Sequence, residues 1–131
     1  QLKRQYGTTD FELIGYSGGG AMALLLAATR RDVSAVQTLA GNLDPQAWTT
    51  LKKLSPLTGS LNPSDYSERL QHIAQRHIVG NADNVVPAEV AHSYLRNVQP
   101  HCAELITVAA NHHDGLAQSW WHYSQLPLNC Q

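Results

Sequence analysis

Fourteen residues, LIGYSGGGAMALLL from Leu13 to Leu26, constrain the fold more tightly than anything else in the chain. An apolar stretch stops at a serine among four glycines and restarts at once. A plain turn needs one glycine or two. Here Gly15, Gly18, Gly19 and Gly20 surround Ser17, and small Ala21 and Ala23 follow. Such a pattern forces the backbone into close quarters around a single hydroxyl. FELIGY, just before the serine, alternates and ends apolar, which predicts a strand. GGAMALLLAATRR, just after it, consists of helix formers, with Arg30 and Arg31 placed in a last turn where the helix dipole favours cations. The serine therefore falls at a sharp strand-to-helix turn.

The rest of the chain repeats that alternation. VSAVQTLAG is β-branched and closes on Gly41, a second strand. RHIVG is a third and AELITVAA a fourth. PAEVAHSYLRNV is an amphipathic helix with Val90, Tyr94 and Val98 on one face, and DGLAQSWWHYS is a final helix. Between the second and third strands, residues 42–75 carry Pro45, Pro56, Pro63 and Gly59. This insertion predicts loops and short helices, one starting at Asp44 as N-cap with Pro45 in the first turn, and suits a lid or wall. QLKRQYGTTD at the start reads as the polar end of a helix closed by Gly7. Strands alternating with helices predict an α/β domain with a mostly parallel sheet of about four strands in a three-layer sandwich. The 131 residues fit one such domain.

Charge narrows the partners. Nine basic and ten acidic residues leave a formal net charge of -1. That balance argues against nucleic acid or an anionic membrane as partner, and the longest apolar run is too short to span a bilayer. Two cysteines, Cys102 and Cys130, allow one bridge or two thiols.

Gly15-Tyr16-Ser17-Gly18-Gly19 fits G-x-S-x-G. Three fixed positions say little alone, but a predicted strand before and helix after make the setting of a nucleophile elbow. The Gly18 amide, at the helix N-terminus, then faces an incoming carbonyl oxygen as an oxyanion donor. A phosphate-cradling loop fits less well, since the sequence lacks its lysine and glycine spacing. A serine nucleophile needs a base and an orienting carboxylate. Of seven histidines, His112 and His113 lie in the loop after the last strand, where a side chain reaches the carboxyl edge of the sheet. Asp83, in VGNADNVVP, follows the third strand on the same edge. Asp44 follows the second, but its better role is the helix cap, and Asp114 beside the histidines is a further cap candidate. A metal site from His112, His113 and Asp114 has no established ligand spacing.

These three segments, GYSGG, GNADNVVP and VAANHHDGLAQSW, resemble in order and spacing the C-terminal half of the α/β-hydrolase superfamily. That resemblance implies a serine hydrolase acting on a carboxylic ester or related acyl bond, with no cofactor. It implies Ser17 as nucleophile, Asp83 as acid in a G-x-x-D-x-x-V-P turn matched by Gly80, Asp83, Val86 and Pro87, and a histidine base. The family's G-x-x-H setting, with Ala110 in the glycine position, favours His113 over His112. Trp48, Tyr66 and the 42–75 insertion are then candidates to line an acyl pocket. The resemblance also places the loop bearing the second oxyanion amide upstream of Gln1, so the chain is expected to be a fragment or a truncated relative. It leaves residues 11–16 as an exposed sheet edge, which predicts a homodimer or association with a missing N-terminal half. A non-catalytic interaction domain is the alternative.

Overall fold

The computed structural model describes residues 10–54 and 61–128, together with the backbone of residues 2–5. Five strands form one sheet in sequential order. They are β1 (Leu2–Gln5), β2 (Phe11–Tyr16), β3 (Val33–Leu39), β4 (Ala74–Gly80) and β5 (Ala103–Val108). The four from β2 to β5 run parallel, as expected, and β1 lies antiparallel to β2.

That first strand corrects the sequence reading of a helix end at residues 1–7. Four residues carry no periodicity that separates helix from strand, and pairing decides the matter. Leu2 stands opposite Ile14 and Gln5 opposite Phe11, so the backbone groups of β2 have a partner on that flank. The same pairing removes the expected exposed edge at residues 11–16, because β2 is held between β1 and β3. The proposed Gly7 helix end lies outside the described residues.

The helices are α1 (Gly18–Thr29), α2 (Pro45–Leu51), α3 (Ser67–Leu70), α4 (Ala88–Val98) and α5 (Leu116–Ser124). On one face of the sheet, Ala23, Leu24 and Ala27 of α1, Leu70 of α3, and Ala91, Tyr94 and Val98 of α4 pack on Leu13, Val36 and Val79. On the other, Leu116, Trp120 and Tyr123 of α5 cover Ile14, Leu39, Ile78 and Val108. These two apolar layers make the three-layer sandwich, and Val90, Tyr94 and Val98 are buried as the helical spacing predicts. Helix α1 stops at Thr29, short of the arginines. Arg30 turns into extended backbone and pairs with Asp32 at 2.7 Å instead of serving the helix dipole.

Of the 42–75 segment, Pro56 and Gly59 lie outside the described residues, and two short helical turns start at Pro45 and Pro63. Asp44 caps α2, and Asn62 caps a 3₁₀ turn at Pro63–Tyr66. Asp44 does more than cap. Its carboxylate accepts from the Ala47 amide (3.1 Å), Asn62 (2.9 Å), Ser93 (2.6 Å) and Asn97 (3.2 Å). One buried side chain therefore joins α2, the 62–64 loop and α4. Cys102 is disulfide-bonded, its partner outside the described residues.

Candidate active site

The carboxyl ends of β2, β3, β4 and β5 open on one edge of the sheet. Ser17, Asp44, Asp83 and His112 follow those four strands in turn. Ligands of open α/β sheets bind at this edge.

Ser17 sits between β2 and α1 with φ 54° and ψ −122°, a backbone conformation that costs on the order of 1–3 kcal/mol for a residue with a side chain. Its surroundings hold it there. The Ser17 amide donates to the Leu39 carbonyl at 2.9 Å, and the Ser17 carbonyl accepts from Gly20 and Asn42 at 2.9 and 3.1 Å. Not every glycine around it is there for the same reason. A Cβ on Gly15 would lie 2.2 Å from the Gly19 carbonyl oxygen, and one on Gly20 would lie 2.9 Å from Gly41 Cα. Gly18 and Gly19 have open space where a Cβ would go, so crowding does not explain them. The Gly18 amide belongs to the first turn of α1, whose N–H groups have no intrahelical acceptor.

Asp83 lies in the turn after β4. Its Oδ1 accepts from the amides of Val85 (2.9 Å) and Val86 (2.8 Å), while its Oδ2 faces His112 Nδ1 at 2.8 Å. Three donors compensate a carboxylate whose side chain is wholly buried. With Asp83 ionised, the Nδ1 of His112 carries the proton and donates it. Nε2 is then the acceptor for the Ser17 hydroxyl, 3.0 Å away.

His112, and not the expected His113, thus stands between the serine and the carboxylate. Adjacent side chains diverge, and the loop after β5 decides which one turns inward. The Ala82 amide donates to the Ala110 carbonyl at 3.0 Å, fixing the acid turn against this loop. Asn111 then makes an Asx turn, its side-chain oxygen accepting from the amides of His113 (2.8 Å) and Asp114 (2.7 Å). His112 is buried under this turn and His113 projects into solvent. The family spacing, counted from a glycine that is Ala110 here, overshoots by one residue.

The other candidates fall elsewhere. Asp44 caps α2 and has no contact with either histidine among its hydrogen bonds. Asp114 is exposed, and α5 begins after Gly115, which takes φ 94°. Tyr66 packs against the core. Trp48 donates to the Val85 carbonyl at 2.8 Å, and Lys52 donates to that of Asn84, so α2 grips the acid turn from outside. A mostly apolar pocket of about 320 Å³ adjoins the elbow, lined by Gly18, Ala21, Met22, Leu25, Asn42, Pro45 and Leu61. Neither Trp48 nor Tyr66 contributes to it.

Two parts of the site escaped the sequence reading: Asn111, and Tyr16, whose hydroxyl meets the His112 carbonyl. An Asn one residue before a candidate histidine is a turn signal and was available. Nothing in the sequence marks Tyr16. Among the described residues, no group of three or more His, Cys, Asp or Glu is placed to hold a metal ion, and no helix is long and apolar enough to cross a membrane.

No family model and no curated protein matches the chain. Solved structures do. An esterase from Pyrococcus furiosus, Pf2001, superposes with a TM-score of 0.68 at 15% identity over 89% of this chain and 52% of its own. Est1E from Butyrivibrio proteoclasticus gives 0.67 at 20% identity, over 88% and 59%. The esterase domain of a Rhodothermus marinus protein gives 0.64 at 17%, over 88% and 57%. The chain spans a little over half the length of these three structures.

Proposed function

Since this chain has the α/β-hydrolase fold, we propose that it carries the serine half-site of a hydrolase acting on a carboxylic ester or related acyl bond. The observation that carries the reading is the unbroken relay of 3.0 Å from Ser17 to His112 and 2.8 Å from His112 to Asp83.

In this mechanism Ser17 Oγ attacks the ester carbonyl carbon and its proton passes to His112 Nε2. Asp83 fixes the imidazole tautomer and stabilises the cation that forms. The Gly18 amide donates to the developing oxyanion. His112 then protonates the departing alcohol, leaving an acyl group on Ser17. Water, deprotonated by the same Nε2, releases the acid. The apolar pocket beside Gly18 receives an apolar substituent of the ester.

Hydrolysis of p-nitrophenyl acetate and butyrate tests this. Replacing Ser17 by Ala should lower kcat by a factor on the order of 10⁴ or more. Equal turnover by Ser17→Ala and the parent chain would remove Ser17 from the chemistry.

A further inference from the structure

Tyr16 fills the variable position just before the nucleophile. Its hydroxyl donates to the backbone carbonyl of His112 at 2.5 Å, across 96 residues of sequence. Its ring lies against the imidazole, centroids 5.3 Å apart and planes tilted by 36°. Core packing does not account for this placement, since Tyr16 remains 46% exposed. The other backbone bonds of the histidine loop come from the acid-turn side, through Ala82, or from within the loop, through Asn111 and Asp114. Among the described residues, Tyr16 alone reaches this loop's backbone from the nucleophile side.

We propose that Tyr16 is a positioning residue, a strap that holds His112 within hydrogen-bond reach of Ser17 Oγ. The catalytic consequence rests on the hydrolase reading above; the strap itself does not. Ser17 and Tyr16 are neighbours on one rigid elbow, so any bond from Tyr16 to His112 fixes the base relative to the nucleophile. Without the hydroxyl, the His112 carbonyl turns to water, and the ring keeps its bonds to Asp83 and Ser17 but loses the one that ties its own backbone to the elbow. A base that wanders by a fraction of an ångström loses rate without losing substrate affinity.

Tyr16→Phe removes the hydroxyl and keeps the ring. The phosphonylation rate of Ser17 by a fluorophosphonate should fall about tenfold, and kcat by a similar factor with KM within about twofold. The melting temperature should hold within about 2 °C, the hydroxyl being a single half-exposed hydrogen bond. A readout independent of turnover is the proton NMR resonance of the His112 Nδ1–H, whose exchange with water should quicken in Tyr16→Phe. Unchanged labelling and unchanged exchange would overturn the strap. If the parent chain is not labelled at all, the hydrolase reading fails, and imidazole exchange alone decides for or against the strap.

Discussion

Ser17 keeps a left-handed backbone because its neighbours leave no alternative, and the motif glycines share that task unequally. Gly15→Ala pushes a methyl to 2.2 Å from the Gly19 carbonyl, backbone against backbone. It should cost about 3 kcal/mol or more, as overpacking at a rigid contact does. Gly19→Ala meets open space in the first turn of α1 and should stabilise by roughly 0.5–1 kcal/mol through helix propensity and a less free unfolded chain. Urea titration of the two variants checks the opposite signs; a loss of similar size at both would mean the crowding is misassigned. At this scale the sequence located the turns that carry Ser17 and Asp83, because their motifs describe local backbone. It did not carry the choice of histidine. That choice depends on an Asx turn at Asn111, which the sequence signals locally, and on an amide of Ala82 meeting a carbonyl of Ala110, a contact between two segments that no local pattern records.

Among the elements, α2 is the one with most consequence for its size. Asp44 ties it to α4 and to the 62–64 loop, while Trp48 and Lys52 press on the acid turn. Burial alone would raise the pKa of Asp44, yet hydrogen bonds from Ser93, Asn62, the Ala47 amide and Ser64 outweigh it and leave the value lowered. The sign follows from linkage. A lowered folded pKa contributes stability that is complete above the unfolded value, near 3.9, and is lost as pH falls through the folded one. Asp44→Ala should cost about 2–4 kcal/mol, a lost cap plus donors left without acceptors. Urea unfolding at pH 7 should give that loss, and the variant should lose less stability than the parent between pH 4 and pH 2. The cap at Asp44 was legible, since Asp-Pro announces a helix start. The strand β1 was not, because its assignment comes from pairing with β2 rather than from its own four residues.

For the molecule as a whole, acid stability turns on a histidine inside the sheet. His77 is fully buried between Thr38 (2.6 Å from Nδ1) and Gln75 (2.8 Å from Nε2), with Tyr94 packed edge-on. Burial lowers its pKa to about 3. Above pH 6.5 the histidine is neutral folded or unfolded and exacts nothing. Between 6.5 and about 3 the unfolded chain takes up a proton that the folded chain refuses, so stability declines by as much as about 1.4 kcal/mol per pH unit as pH falls. The urea midpoint should therefore drop from pH 7 to pH 5, and His77→Gln should flatten that stretch of the profile. An unaltered slope in the variant would locate the acid sensitivity elsewhere.

Rates of fluorophosphonate labelling at Ser17 decide which histidine takes its proton. His113 is exposed and its amide serves the Asx turn, so His113→Ala should label within about twofold of the parent, as surface truncations do. His112→Ala should label slower by a factor on the order of 10³ or more, since it removes the proton acceptor 3.0 Å from Ser17. The reverse ranking, with His113→Ala silent and His112→Ala near the parent rate, would assign the proton acceptor to His113 instead.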